Sequence, residues 1–302
     1  MRDIATYSAA DWLTFKPLVH RLKYVRNRVV SGGFVLLGAA TRDRFLAEHA
    51  GLAGKTIAAT IAFNMPWAVD LFLRTARLNL IDAAIVVLDN SSRKEARAEI
   101  AGLCRASGVA YLPLPRNPEW GPNRSHGIAL NWAYRNLIRP LDPPVFAFLD
   151  HDLFALQPVD LAAALAGQPV YGAVKRSKVV SGAWSLWAGF CVFDHAALKS
   201  RMLDFNYEGP MKLDTGGYNW TRLYRDLDAT RMSFADGARI RFREPDTQAT
   251  YDAAMFDGFV HVGGASYTAK GREPGRIAFF QRLVAHIGAG GQWQDFVVPG
   301  DL

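Results

Sequence analysis

The chain has 302 residues, of which 50% are hydrophobic and 21% charged, the balance of an ordinary globular protein with length for one large domain, or one domain and an appendage. A formal net charge of +7 favours anionic partners, yet Lys and Arg are dispersed and no zinc-finger, RNA-recognition or basic-zipper pattern occurs, which argues against nucleic acid. Cys104 and Cys191 are the only cysteines, each in an apolar segment, which argues against a disulfide framework or a thiolate zinc site.

Residues 1–54 read as a helical extension, with helix periodicity over 9–30 and again over 41–49, where Thr41 is a candidate N-cap. Within it Lys16, His20, Arg21, Lys23, Arg26 and Arg28 alternate with Leu18, Val19, Leu22 and Val25, a pattern suited to an anionic membrane face or to a solvated basic face over a packed apolar stripe. The amino terminus lacks the charged-then-apolar order of a secretory leader, and no stretch reaches the roughly 18 apolar residues of a membrane span. The expectation is a cytoplasmic protein, with the inner face of a membrane as its possible station.

From Lys55 onward strand and helix alternate. A strand over 56–63, a helix over 65–80 and a strand over 83–88 make a βαβ unit with a parallel pair. A helix over 93–107, a strand over 109–114, a Pro-, Asn- and Gly-rich loop, a helix near 128–138 and a strand from Val145 follow, so a doubly wound, mostly parallel α/β sheet is expected over 55–155. Beyond Asp152 the alternation loosens into aromatic clusters at Trp184, Trp187 and Phe190, a Gly-containing Asp214-Thr-Gly-Gly217, and a short strand ending in His261. No Gly-x-Gly-x-x-Gly follows the first strand and no P-loop occurs, which disfavours a dinucleotide Rossmann site.

The run Val145-Phe-Ala-Phe-Leu-Asp-His-Asp152 is the most telling segment. In an extended chain residues two apart face the same side, so Asp150 and Asp152 can meet one cation at the carboxyl edge of the strand, while His151 points away and packs. Mg²⁺ or Mn²⁺ prefers such oxygens and completes its shell with water or substrate phosphate, which suggests a nucleotide substrate. His261, at the end of an apolar stretch and ahead of two glycines, is a candidate third ligand.

In order, Asn64 after the first strand, Val86-Val-Leu-Asp-Asn-Ser-Ser92, the loop from Asn117 to Gly127 with the helix up to Asn131, and Leu149-Asp-His-Asp152 resemble the nucleotide-binding half of the family 2 glycosyltransferases, which share the GT-A fold. The resemblance covers 56–155 well and 185–265 loosely; residues 1–54 have no counterpart. It implies a GT-A domain over 55–302, with a nucleotide-sugar half at 55–155 and an acceptor half at 156–302. It implies that Asp89 contacts base or ribose, unless it serves an Asx-turn. Asn123 and Arg124 would approach the diphosphate unless Asn123 and Ser125 only cap the helix, and Asn131 would support the site from behind. Asp152 would ligate metal directly and Asp150 would assist.

The resemblance further places an acidic base for an inverting reaction at Asp214, although the expected Glu-Asp pair is here Leu213-Asp214; Glu208 and Asp194 are the fallbacks. Lys175 and Arg176 are candidate diphosphate contacts, and Trp184, Trp187, Phe190 and Trp220 candidate sugar-stacking rings. The implied activity is metal-dependent transfer of a sugar from a nucleoside-diphosphate sugar to a glycan or lipid-linked acceptor in polysaccharide assembly. The alternatives are a sugar-nucleotide-binding protein without turnover and a sugar-phosphate nucleotidylyltransferase, whose Gly-rich basic signature Asn64-Met-Pro66 does not supply.

Overall fold

A computed structural model describes residues 2–263 and 273–299. Helices α1 (Ala9–Leu13), α2 (Lys16–Val35) and α3 (Ala39–Glu48) precede strand β1 (Thr56–Ala62). Then come α4 (Pro66–Asn79), β2 (Leu80–Ile81), β3 (Ala83–Asp89), α5 (Lys94–Ala106), β4 (Ala110–Pro113), α6 (Pro122–Ala133), a π-turn (Tyr134–Ile138), α7 (Arg139–Leu141) and β5 (Val145–Asp150). The remainder holds β6 (Leu153–Ala155), β7 (Val159–Asp160), α8 (Leu161–Ala164), β8 (Val170–Arg176), β9 (Trp184–Asp194), α9 (His195–Leu198), α10 (Asn219–Arg222), β10 (Gly237–Arg243), β11 (Thr250–Phe256), β12 (Phe259–His261) and α11 (Pro274–Gly288).

The main sheet runs β4-β3-β1-β5-β9-β8, parallel from β4 to β5, with β9 antiparallel to both neighbours. This is the mostly parallel α/β sheet flanked by helices that the alternation predicts. Strand β1 is buried almost throughout because both its faces are covered. Its side chains alternate accordingly: Ile57, Ala59 and Ile61 join a core with Trp132 and Leu137, while Ala58 and Ala62 join another with Phe72 of α4, Ile100 of α5 and Phe280 of α11. A second sheet, β10-β11-β12-β6, is antiparallel among its hydrogen-bonded pairs.

Local readings needed correction in several places. The first helix is broken in two at Phe15, whose left-handed backbone (φ 54°) separates α1 from α2, which begins at Lys16 with Pro17 in its first turn. Thr41 does not cap α3; Gly38, at φ 76°, turns the chain into it three residues earlier. The helix placed near 128 begins instead at Pro122, whose missing N–H is tolerated in a first turn, so Asn123 and Ser125 are helical residues and not caps. Lys175 and Arg176 lie within β8.

The extension is docked on α6 and the following π-turn. Phe34 and Phe45 are buried in the core that holds Trp132. Trp132 Nε1 donates to the Leu37 carbonyl at 2.9 Å and Asn136 Nδ2 to that of Val35 at 3.0 Å. Asn131 donates to Ser31 Oγ at 3.2 Å and Arg42 to Asn136 Oδ1 at 2.9 Å, so the ends of α2 and α3 are tied to the sheet's helical cover.

Candidate functional site

Parallel strands ending together leave a crevice beyond their carboxyl ends. Here the register aligns Ile61 of β1 with Asp150 of β5, and Ala62 with Asp89 of β3, and a cleft of about 900 Å³ opens along that edge. Its lining includes Ser91, Asn117, Asn123, Asp150, Asp152, Trp187, Asp214 and His261, with Trp120 on the rim, 92% exposed.

The chain turns sharply after β5 into β6, and β6 pairs with β12 so that Leu153 lies opposite His261. That pairing, with Val262 N–H donating to the Asp152 carbonyl at 3.0 Å, brings a residue from far along the chain beside the Asp-x-Asp turn. Asp150, Asp152 and His261 each offer one ligand atom, all within 4.8 Å of one another. His261 Nε2 is 3.5 Å from Asp152 Oδ1. Burial opposes charge on His261, but the Asp152 carboxylate, with help from Asp150, outweighs it and raises the imidazole pKa. Burial, then the neighbouring Asp152 carboxylate, drives Asp150 well above the usual carboxylate range. The second predicted glycine after His261, Gly264, lies outside the described residues.

Other assigned residues divide into those the cleft exposes and those the protein uses itself. Asp214 lines the cleft; its Oδ1 accepts from Asn123 Nδ2 at 3.1 Å and from the Thr215 N–H at 2.8 Å, and among the described residues no donor occupies Oδ2. It does not cap α10, which begins after Tyr218. Asp89 is fully buried and absent from the lining: Oδ1 accepts from Ser91 N–H and Oδ2 from Tyr111 Oη, each at 2.8 Å, the local Asx arrangement. Asn64, at φ 55° and half-buried, is likewise absent from the lining, its Oδ1 accepting from the Ser92 and Arg93 N–H groups. Arg124 points to Glu119, not into the cleft, with Nε donating to Oε2 at 2.9 Å. Lys175 stands over Trp187, 5.8 Å from the ring centre, and Trp187 packs on the His261 ring at 4.5 Å.

His151 packs as expected, 3.1 Å from the Ile61 carbonyl through Nδ1. Asn131 accepts from Phe205 N–H and donates to Asp204, bracing α6 from behind. Of the four aromatic candidates, only Trp187 lines the cleft; Trp184 is buried on Tyr224. Asp194 caps α9 and Glu208 is buried away from the lining, so neither fallback reaches the cleft.

Two participants escaped the sequence reading. His126 of α6 places Nε2 3.6 Å from Asp150 Oδ1, and burial lowers its pKa to about 4 against the pull of Asp214 and Asp152. A neutral imidazole therefore adjoins the metal candidates near neutral pH. Glu119, buried on the rim loop, is gripped by Arg26 of α2 and Arg124 of α6; burial would raise its pKa, and the two guanidiniums override that and lower it.

The fold and site define an open α/β protein whose carboxyl-edge cleft carries a two-carboxylate, one-imidazole centre. No protein-family model and no curated protein sequence matches the chain. Among solved structures it is similar to the mannosyltransferase PcManGT from Pyrobaculum calidifontis in complex with GDP-Man and Mn²⁺, at 15% identity and TM-score 0.35, over 58% of this chain and 56% of that one. It is also similar to the galactosyltransferase LgtC with donor and acceptor sugar analogues (16%, TM-score 0.34, 49% and 60% of the two chains). A third is glucosyl-3-phosphoglycerate synthase from Mycobacterium tuberculosis with Mg²⁺ and uridine diphosphate (17%, TM-score 0.31, 53% and 62%). The chain spans less than two thirds of each of these proteins, and the functional reading stands on the cleft and its side chains.

Proposed function

We propose that the protein is a metal-dependent glycosyltransferase of GT-A type that moves a sugar from a nucleoside-diphosphate sugar to a glycan or lipid-linked acceptor hydroxyl, with inversion. The observation that carries this reading is the convergence of Asp150, Asp152 and His261 within 4.8 Å in a carboxyl-edge cleft. Two carboxylate oxygens and one imidazole nitrogen are a donor set for Mn²⁺ or Mg²⁺, and the nitrogen favours Mn²⁺. When bound, the ion supplies positive charge against a departing diphosphate.

The chain's own residues do the rest. Trp187, packed on His261 and approached by Lys175, fixes the imidazole's orientation from outside the ligand set. The amino-terminal turn of α6, with Asn123 in the cleft, turns its positive dipole end toward an anionic substrate. Asp89 acts through Ser91, which it holds in place as part of the cleft wall for the nucleoside. Asp214, held among the described residues through Oδ1, keeps Oδ2 to take the proton of the attacking acceptor hydroxyl, and a carboxylate in that role fits direct, inverting displacement. In this reading residues 55–155 form the donor half, 156–302 the acceptor half, and the product enters a polysaccharide or glycan on the cytoplasmic side.

Calorimetric titration of UDP and of GDP, with and without Mn²⁺, tests it. One nucleotide is expected to bind at micromolar level only with metal, and Asp152→Ala to abolish that binding. Binding of neither nucleotide in the presence of Mn²⁺ overturns the reading.

A further inference from the structure

Amphipathic helices ordinarily turn their apolar side to the protein. Helix α2 does the opposite. Its docked side is formed by Pro17, Tyr24, Asn27, Ser31 and Phe34, and only Pro17, Ser31 and Phe34 of the whole helix are buried. On the far side stand Leu18 (52% exposed), Leu22 (72%), Val25 (58%), Val29 (69%) and, one residue past the helix, Leu36 (80%). At about 100° per residue these positions fall within one narrow stripe that faces straight away from the molecule. Arg21 and Arg28 border the stripe on one side and Arg26 on the other, and the helix contains no Asp or Glu. Leu13 (81%) and Phe15 (65%) add exposed apolar bulk at the turn leading into it.

We infer that α2 is a membrane-surface anchor, lying in the interface of an anionic bilayer with Leu18, Leu22, Val25 and Val29 in the acyl boundary and Arg21 and Arg28 among the headgroup phosphates, while Arg26 stays paired with Glu119. Charge decides the occupant. A second copy of the chain pairing through the same stripe would bring arginines against arginines with no carboxylate from either α2 to relieve them, whereas anionic lipid supplies the missing charge. No described helix is long and apolar enough to cross a membrane, so α2 lies on the surface and does not span. The inference rests on α2 alone and stands apart from the reading of the cleft.

Flotation of the full chain with lipid vesicles tests it, using phosphatidylcholine alone and an equimolar mixture with phosphatidylglycerol. The wild type is expected to float with the mixed vesicles, to leave them in high salt, and to ignore phosphatidylcholine. Leu22→Glu with Val29→Glu, and separately Arg21→Glu with Arg28→Glu, should each lower the bound fraction about tenfold or more. Their circular dichroism and melting temperature should be unchanged, since all four side chains are exposed. Failure of the wild type to float with anionic vesicles overturns the anchor, as does unaltered flotation of both folded variants. A wild-type dimer in light scattering that Leu22→Glu with Val29→Glu dissolves, without vesicle binding, overturns it in favour of self-association.

Discussion

Gly189 lies on β9 beside Asp150, and a Cβ there would stand 2.4 Å from Asp150 Oδ2 and 2.2 Å from the Trp187 ring. Trp187 is packed between Phe256 and His261, so Gly189→Ala must displace a candidate ligand or the ring packed on another. The expected outcome is a loss of about tenfold or more in Mn²⁺ affinity with the fold retained, read by calorimetry and circular dichroism. Asp150 and Asp152 were legible in the sequence because period-two alternation at a strand end is a local rule. Gly189 was not, since its requirement is set by the strand alongside. His126 was missed for a related reason: with α6 misplaced toward residue 128, nothing in the sequence aimed that ring at Asp150.

Elements set which charges meet. The loop from Asn117 to Gly121 is held at its centre by Glu119, which two helices clamp through Arg26 and Arg124. Because the Glu119 pKa is lowered in the folded protein from its ordinary value of 4.5, the unfolded chain binds its proton first as pH falls. The stabilisation is fully present above that value and is lost as pH descends through the lower, folded one. Urea midpoints of the wild type and Glu119→Gln should therefore differ at pH 7 and converge as the pH falls from 4.5 through the lower, folded value. Element types were largely readable from periodicity. The start of α6 was not, because Pro122 reads equally as loop or as a first helical residue, and the pairing of β12 with β6 left no local trace at all.

At the scale of the whole molecule, the extension belongs to the structure it adjoins. Phe34 is 2% exposed and Phe45 4%, both in the core that holds Trp132. Phe34→Ala should cost about 3–5 kcal/mol, seen as a lowered urea midpoint. Removing residues 2–54 outright would strip cover from α6, which is why point substitutions on α2 are the sounder probe of lipid binding. The basic and apolar alternation of that segment was plain in the sequence; which side docks was not, because the docked side is the less apolar one. The union of β6 with β12 also has a kinetic meaning. It closes a long loop, and long-range pairings of that kind form late because their entropy is lost before contacts repay it. A chain emerging during synthesis carries both aspartates well before the imidazole, so the three candidate ligands come together only when β12 has paired with β6. Acquisition of Mn²⁺ during refolding would then report the end of folding and not its beginning.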